Sequence, residues 1–109
     1  MIVTEEKSVS IDLTLGMRLH IVGIGGTGMS AIARVLLGRG FRVSGSDQQG
    51  NAQTDALAAA GATIHIGHLA EFVNDVDAVV VSSAVPPTNP EWGAALSRGL
   101  PVLKRADLL

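Results

Sequence analysis

An α/β fold, with helices on both faces of a five-stranded parallel sheet, is what this sequence predicts, and three observations predict it. Over residues 18–109, apolar β-branched runs alternate with segments of helical period. Three helical segments end in glycine (Gly40, Gly61 and Gly99), and a strand begins one or two residues after each. Connections this short, repeated in this order, make βαβ units. Finally, Gly23-Ile24-Gly25-Gly26-Thr27-Gly28 lies where the first of these strands meets the first helix, the context in which G-x-G-x-x-G has a physical meaning. Right-handed crossovers then give a Rossmann-like three-layer domain with strand order 3-2-1-4-5. Its ligand edge is expected at the carboxyl ends of the strands, beside strand one, where the order reverses.

Each element has its own justification. Residues 1–17 form a leader or arm in which Val9, Ile11, Leu13 and Leu15 alternate with Ser8, Ser10, Asp12 and Thr14. Period two reads as a strand with one buried face, or as an irregular leader held against the domain. Strand one spans about 18–23 and the first helix about 28–38, with Met29, Ile32, Ala33, Leu36 and Leu37 on one stripe. Phe41–Gly45 follows as strand two, then a helix over about 52–60, then Ala62–Ile66 as strand three. Residues 69–74 read as a short helix or turn, and Asp77–Ser82 as a buried parallel strand. Asn89, Pro90 and Glu91 supply an N-cap, a proline in the first turn and an acid beside it. Trp92, Ala95 and Leu96 are the expected inner face of that helix, and Pro101–Leu103 the last strand. Arg105–Leu109 reads as the first turn of a further helix, so the chain is expected to be a piece of something longer.

Composition bounds the function. At 109 residues, with 47% hydrophobic and 17% charged residues, the chain has enough apolar material for one core. A net charge of −2 with scattered basic residues gives no footprint for nucleic acid. Cysteine is absent, which excludes thiol catalysis and disulfides. No apolar run approaches the roughly 18 residues of a membrane span. The chain is therefore read as cytoplasmic, with no membrane partner. The three histidines show no zinc spacing, so no metal site is expected.

The glycine loop is the first candidate site. Glycines there make the turn and let backbone approach a phosphate, while the helix N-terminus offers free N–H groups and the positive end of a dipole. Gly23, Gly25, Gly26, Thr27, Gly28, Met29 and Ser30 form this candidate diphosphate cradle. It contains no lysine, and G-x-x-x-x-G-K-[ST] occurs nowhere in the chain, so no Walker-type ATP site is present. Asp47, about twenty residues on, is placed to accept from ribose hydroxyls; as a bland alternative it is a solvated turn acid. Ser46 either joins it or caps the next helix. Ser82 and Ser83 end strand four and either bond phosphate or base, or merely start the loop that Pro86 and Pro87 stiffen. His68, just past Gly67, is placed to stack on or bond a base. His20 reads as a satisfied packing residue, His65 as facing outward or sideways, and Trp92 as core. On the residues alone, NAD is the default ligand.

The run HIVGIGGTGMSAIA, with FRVSGSD, GATIHIGH, VVVSSAV, the Asn-Pro-Glu helix start and LPVLKRADLL, resembles the N-terminal domain of the ATP-dependent Mur ligases of peptidoglycan synthesis. The resemblance covers residues 18–109 and is closest to members that join L-alanine to UDP-N-acetylmuramate; the members that recycle murein tripeptide come second. It implies a UDP-sugar-binding domain that is not catalytic alone. In the parent enzyme, ATP and Mg2+ would act with a central domain, and L-alanine would be bound with help from a third. It also implies that the loop holds the diphosphate, and that Asp47 and Ser46 hold the ribose side. His68, Ser82, Ser83, Ala84 and Val85 would shape the uridine pocket and the neighbouring phosphate. No cofactor belongs to the segment itself.

Overall fold

In the computed structural model of the chain, residues 2–4, 10–12 and 16–108 are described. The domain is built on β3 (Arg18–Val22), whose neighbours on either side are β4 (Arg42–Asp47) and β6 (Ala78–Val81). With β5 (Thr63–Ile66) and β7 (Val102–Lys104) at the edges, the order is β5-β4-β3-β6-β7, and every pairing is parallel. Counted along the chain, this is the expected order 3-2-1-4-5.

Side chains of the central strands alternate between two cores, as the period of a strand requires. Leu19 and Ile21 of β3, with Ala78 and Val80 of β6, meet Met29, Ala33, Leu36 and Leu57 on one face. These come from α1 (Thr27–Gly38) and α2 (Ala52–Ala59). Val22, Val79 and Val81 meet Val73 and Ala95 on the other. There the cover is a 3-10 turn, Ala70–Val73, and α3 (Pro90–Ser97). Burial on both faces is why β6 reads as an unbroken apolar run rather than an alternating one.

The three glycine stops act alike. Gly40, Gly61 and Gly99 have φ of 93°, 112° and 70°, a region that non-glycine residues rarely occupy. In each, the next residue donates back to the helix: Phe41 to Leu36 O, Ala62 to Leu57 O and Leu100 to Ala95 O, at 3.1, 2.9 and 2.9 Å. This is the Schellman arrangement, with its apolar contact between the two residues bonded. Each helix therefore ends by turning its chain directly into the next strand.

Several boundaries differ from expectation. β4 runs to Asp47 rather than stopping at Gly45, and β7 begins at Val102 and ends at Lys104. Ile32 and Leu37 are only partly buried beside the α1 core. Leu96 is 61% exposed, not inward: the short α3 buries Glu91 and Ala95, one turn apart, and Leu96 lies a further 100° round the helix. Trp92 packs half-buried against the valine cluster. The run after β7 is a 3-10 turn, Arg105–Leu108, in which Lys104 N–H donates to Asp107 Oδ2 at 2.7 Å. In the leader, β1 (Ile2–Thr4) and β2 (Ser10–Asp12) pair antiparallel, with Val3 opposite Ile11. Val9, Leu13 and Leu15 lie outside the described residues. No described helix is long and apolar enough to cross a membrane.

Candidate functional site

At the carboxyl ends of β3, β4, β6 and β7 lies a cleft of about 1040 Å³. Its floor is the glycine loop. Gly23, at φ +81°, turns the chain out of β3 so that Gly23 N–H and Ile24 N–H both donate to Ser46 O, at 2.8 and 3.0 Å. Gly26 N–H then closes on Gly23 O at 3.1 Å, and α1 begins at Thr27. Gly26, its N-cap, gives α1 no side-chain cap. The N–H groups of Thr27, Gly28 and Met29 have no acceptor within the helix, because its first internal bond is Ser30 N–H to Gly26 O. Over this end lies the Arg105 guanidinium: a Cβ at Gly28 would stand 2.6 Å from its Nη1. Lys104 lines the same cleft. Free N–H groups, a helix dipole and the Arg105 cation thus converge on one place, with Lys104 on the same cleft wall, an arrangement complementary to a phosphate-bearing anion.

The cleft brings together most of the candidate residues named from sequence. Gly23, Gly26, Gly28 and Met29 line it, as do Asp47, His68, Ser82, Ser83, Ala84 and Val85. Gly25, Thr27, Ser30 and Ser46 are not on its wall. Gly25 is glycine for a different reason from the one expected: a Cβ there would meet Asp47 Oδ2 at 2.9 Å and Asn51 Nδ2 at 3.0 Å, not a ligand. Ser30 is buried, and its hydroxyl donates to Thr27 O at 3.0 Å, a bond made within the helix. Thr27 turns its side chain to solvent. Ser46 is fully buried under α3 and caps no helix. Asn51 caps α2 instead, accepting from Thr54 N–H at 2.9 Å while its own N–H donates to Thr54 Oγ1 at 2.8 Å. Asn51 Nδ2 also donates to Gly25 O at 3.1 Å, and Gly25 N–H donates to Asp47 Oδ2 at 2.9 Å. The start of α2 and the end of β4 therefore hold the glycine loop in shape.

Sequence reasoning missed Gln48, Thr88, Lys104 and Arg105 on the wall. The signal for the two cations was present. In a parallel sheet every strand points its carboxyl end at the same edge, so residues just after the last strand belong to the ligand side.

It also missed a buried polar network behind the wall. Glu91 is fully buried in the first turn of α3. Its Oε1 accepts from His20 Nε2 at 2.5 Å and from Ser46 Oγ at 2.6 Å, and its Oε2 accepts from His68 Nδ1 at 2.8 Å. His20 Nδ1 meets Ser44 Oγ at 2.8 Å. Parallel register explains the grouping: His20 stands opposite Ser44, and Val22 opposite Ser46. Burial pushes the Glu91 carboxyl up, but the bonds from His20 and Ser46, the His20 charge and the bond from His68 outweigh it and hold it below its ordinary range. His65, stacked on Phe72 at 4.0 Å, is lowered by burial first and then by His20, against the pull of Glu91 and Glu71. His20 is thus the satisfied packing residue expected.

Known proteins resemble this chain in sequence and fold. Residues 18–109 match the family model described as Mur ligase family, catalytic domain. A UDP-N-acetylmuramate–L-alanine ligase of Methylococcus capsulatus is 58% identical over 92 residues, covering 84% of this chain and 20% of that protein. The solved UDP-N-acetylmuramate–alanine ligase of Thermotoga maritima superposes with a TM-score of 0.80 at 36% identity, over 84% of this chain and 21% of that one. The UDP-N-acetylmuramate:L-alanyl-γ-D-glutamyl-meso-diaminopimelate ligase of Neisseria meningitides follows at 0.75 and 29%, over 82% of this chain and 28% of that one. The chain spans about a fifth of the length of the curated relatives it matches. By the family model and by these likenesses, the chain belongs to the Mur ligase family.

Proposed function

We propose that the cleft binds UDP-N-acetylmuramate, as the substrate-holding domain of an ATP-dependent, cytoplasmic ligase that adds L-alanine to that sugar nucleotide in peptidoglycan synthesis. The observation that carries the reading is the uncapped start of α1 beneath Arg105, with Lys104 beside it. The N–H groups of Thr27, Gly28 and Met29 would hold the diphosphate, and the two cations would offset its charge. Asp47, with Oδ2 engaged by Gly25, would offer its other oxygen to the ribose. His68 and the Ser82–Val85 turn would bound the uridine and the phosphate next to it. Gly25, Ser30 and Ser46 serve this site by shaping the loop and its backing, not by touching substrate.

The reaction proposed for the whole enzyme phosphorylates the sugar's lactyl carboxylate with ATP, giving ADP and an acyl-phosphate. The amine of L-alanine then displaces phosphate. ATP and Mg2+ would act outside the segment in hand, whose sequence contains no G-x-x-x-x-G-K-[ST]. This domain's task is to fix the nucleotide end so that the carboxylate is presented elsewhere.

Thermal denaturation of the chain with candidate ligands tests the assignment. Saturation at about a hundredfold over Kd adds about 2.7 kcal/mol. UDP-N-acetylmuramate and UDP should raise Tm by several degrees, while NAD and NADH leave it unchanged. Stabilisation by NAD alone would overturn the proposal.

A further inference from the structure

We infer that Glu91 is a positioning residue that keeps the proton of His68 on Nδ1, so that Nε2 is the ring nitrogen presented to the ligand cleft. Three observations carry this. His68 lines the cleft, yet its Nδ1 is turned inward onto Glu91 Oε2 at 2.8 Å, with Ser46 Oγ at 3.1 Å. Glu91 is fully buried, and its other oxygen already holds two donors, His20 Nε2 and Ser46 Oγ. A carboxylate can only accept, so the bond to His68 requires N–H on Nδ1. Nε2, bonded to no described residue, is then the atom left for a ligand. A histidine oriented through one nitrogen by a carboxylate, with the other free to act, is a general device for fixing a tautomer.

The inference rests on the reading of this cleft as a nucleotide-diphosphate site, and it adds a pH dependence to it. With Nδ1–H fixed, neutral His68 shows the ligand a lone pair, which suits a hydroxyl or ring N–H donor and opposes a phosphate. Protonation turns Nε2 into a donor and favours phosphate oxygen. Glu91 on α3 bonds His68 and is itself bonded by His20 on β3. Asp47 at the end of β4, Lys104 at the end of β7 and Arg105 after it share the cleft wall with His68, and His65 on β5 and Glu71 on the 3-10 turn adjoin the network behind it.

Glu91→Gln reverses the arrangement. The amide oxygen stays with the two donors, His20 and Ser46, and the amide NH2 faces His68 Nδ1. Nδ1 must then accept, and the proton moves to Nε2.

Two measurements decide it. Imidazole 15N shifts of the unliganded wild-type chain at alkaline pH, where the ring is neutral, should show the Nδ1–H tautomer, and Glu91→Gln should show Nε2–H. A wild-type Nε2–H tautomer overturns the inference whether or not any nucleotide binds, and needs no variant to fold. Affinity for UDP-N-acetylmuramate, whose two phosphates are both esterified and keep their charge, is then followed from about pH 5 to about pH 8. It should rise severalfold toward acid in the wild type and stay nearly flat in Glu91→Gln, at a temperature where both are folded. A lower Tm in Glu91→Gln with an unchanged pH profile would make Glu91 structural only and overturn its positioning role. If UDP-N-acetylmuramate fails to bind the wild type while the tautomer is Nδ1–H, the ligand assignment fails and the tautomer control stands.

Discussion

Glu91 and Arg105 are the residues on which the site turns, one behind the wall and one on it. Glu91 is fully buried and holds three donors, so removing it leaves His20 and Ser46 buried without their acceptor. Glu91→Ala should therefore lower stability by about 3 kcal/mol, read from urea denaturation. Its ionised form is favoured by the fold, so its contribution is complete above its ordinary value of 4.5 and is lost as pH falls through the lower folded value. The stability gap between wild type and Glu91→Gln should accordingly close below about pH 4.5; a gap that widens toward acid would contradict the network. Arg105→Ala should weaken UDP binding about tenfold, the loss of roughly one charge-assisted bond, and should flatten the salt dependence measured by calorimetry. Little of this was legible in advance. Glu91 reads as an ordinary first-turn acid because its partner His20 is 71 residues away, and only the packing of α3 on the sheet brings them together.

At the scale of elements the sequence spoke more clearly, because helix stops are local. The pattern of glycine followed at once by a strand specifies the Schellman turn with no help from tertiary contacts. Strand ends are less local: β4 extends to Asp47 because Asp47 pairs with Ile66 of β5 and its carbonyl accepts from Gly67 N–H at 2.8 Å. Gly45 shows the same dependence on neighbours. A Cβ there would stand 2.6 Å from Ile24 Cβ and 2.9 Å from Ile21 O. Gly45→Ala should thus cost about 1–3 kcal/mol by overpacking the seam between β3 and β4, measured by chemical denaturation. Asn51→Ala removes the α2 cap and the strut to Gly25 O, and should cost about 1 kcal/mol. Because the strut shapes the loop, that variant should also weaken UDP binding severalfold; unchanged binding would mean the loop holds its form without it.

For the molecule as a whole, alternation of elements gave the sheet order, and the sheet order gave the ligand edge, because all five parallel strands end on one side. That geometry gathers residues as distant as Gly28 and Arg105, though basic residues look scattered along the chain. Gly25, Ser30 and Ser46 engage neighbouring groups of the protein rather than the cleft wall, for the opposite reason. Hydroxyls and glycines beside a phosphate loop satisfy backbone and core groups as readily as ligand, and spacing alone does not separate the two. The claim that this edge is a sugar-nucleotide diphosphate site is tested most directly by titrating UDP-N-acetylmuramate into the 15N-labelled chain and following its amide resonances. The largest shifts should fall on Thr27, Gly28 and Met29, with His68, Ser82–Val85 and Arg105 next, and NAD should leave them in place. Shifts that spare the start of α1, or that NAD alone produces, would contradict it.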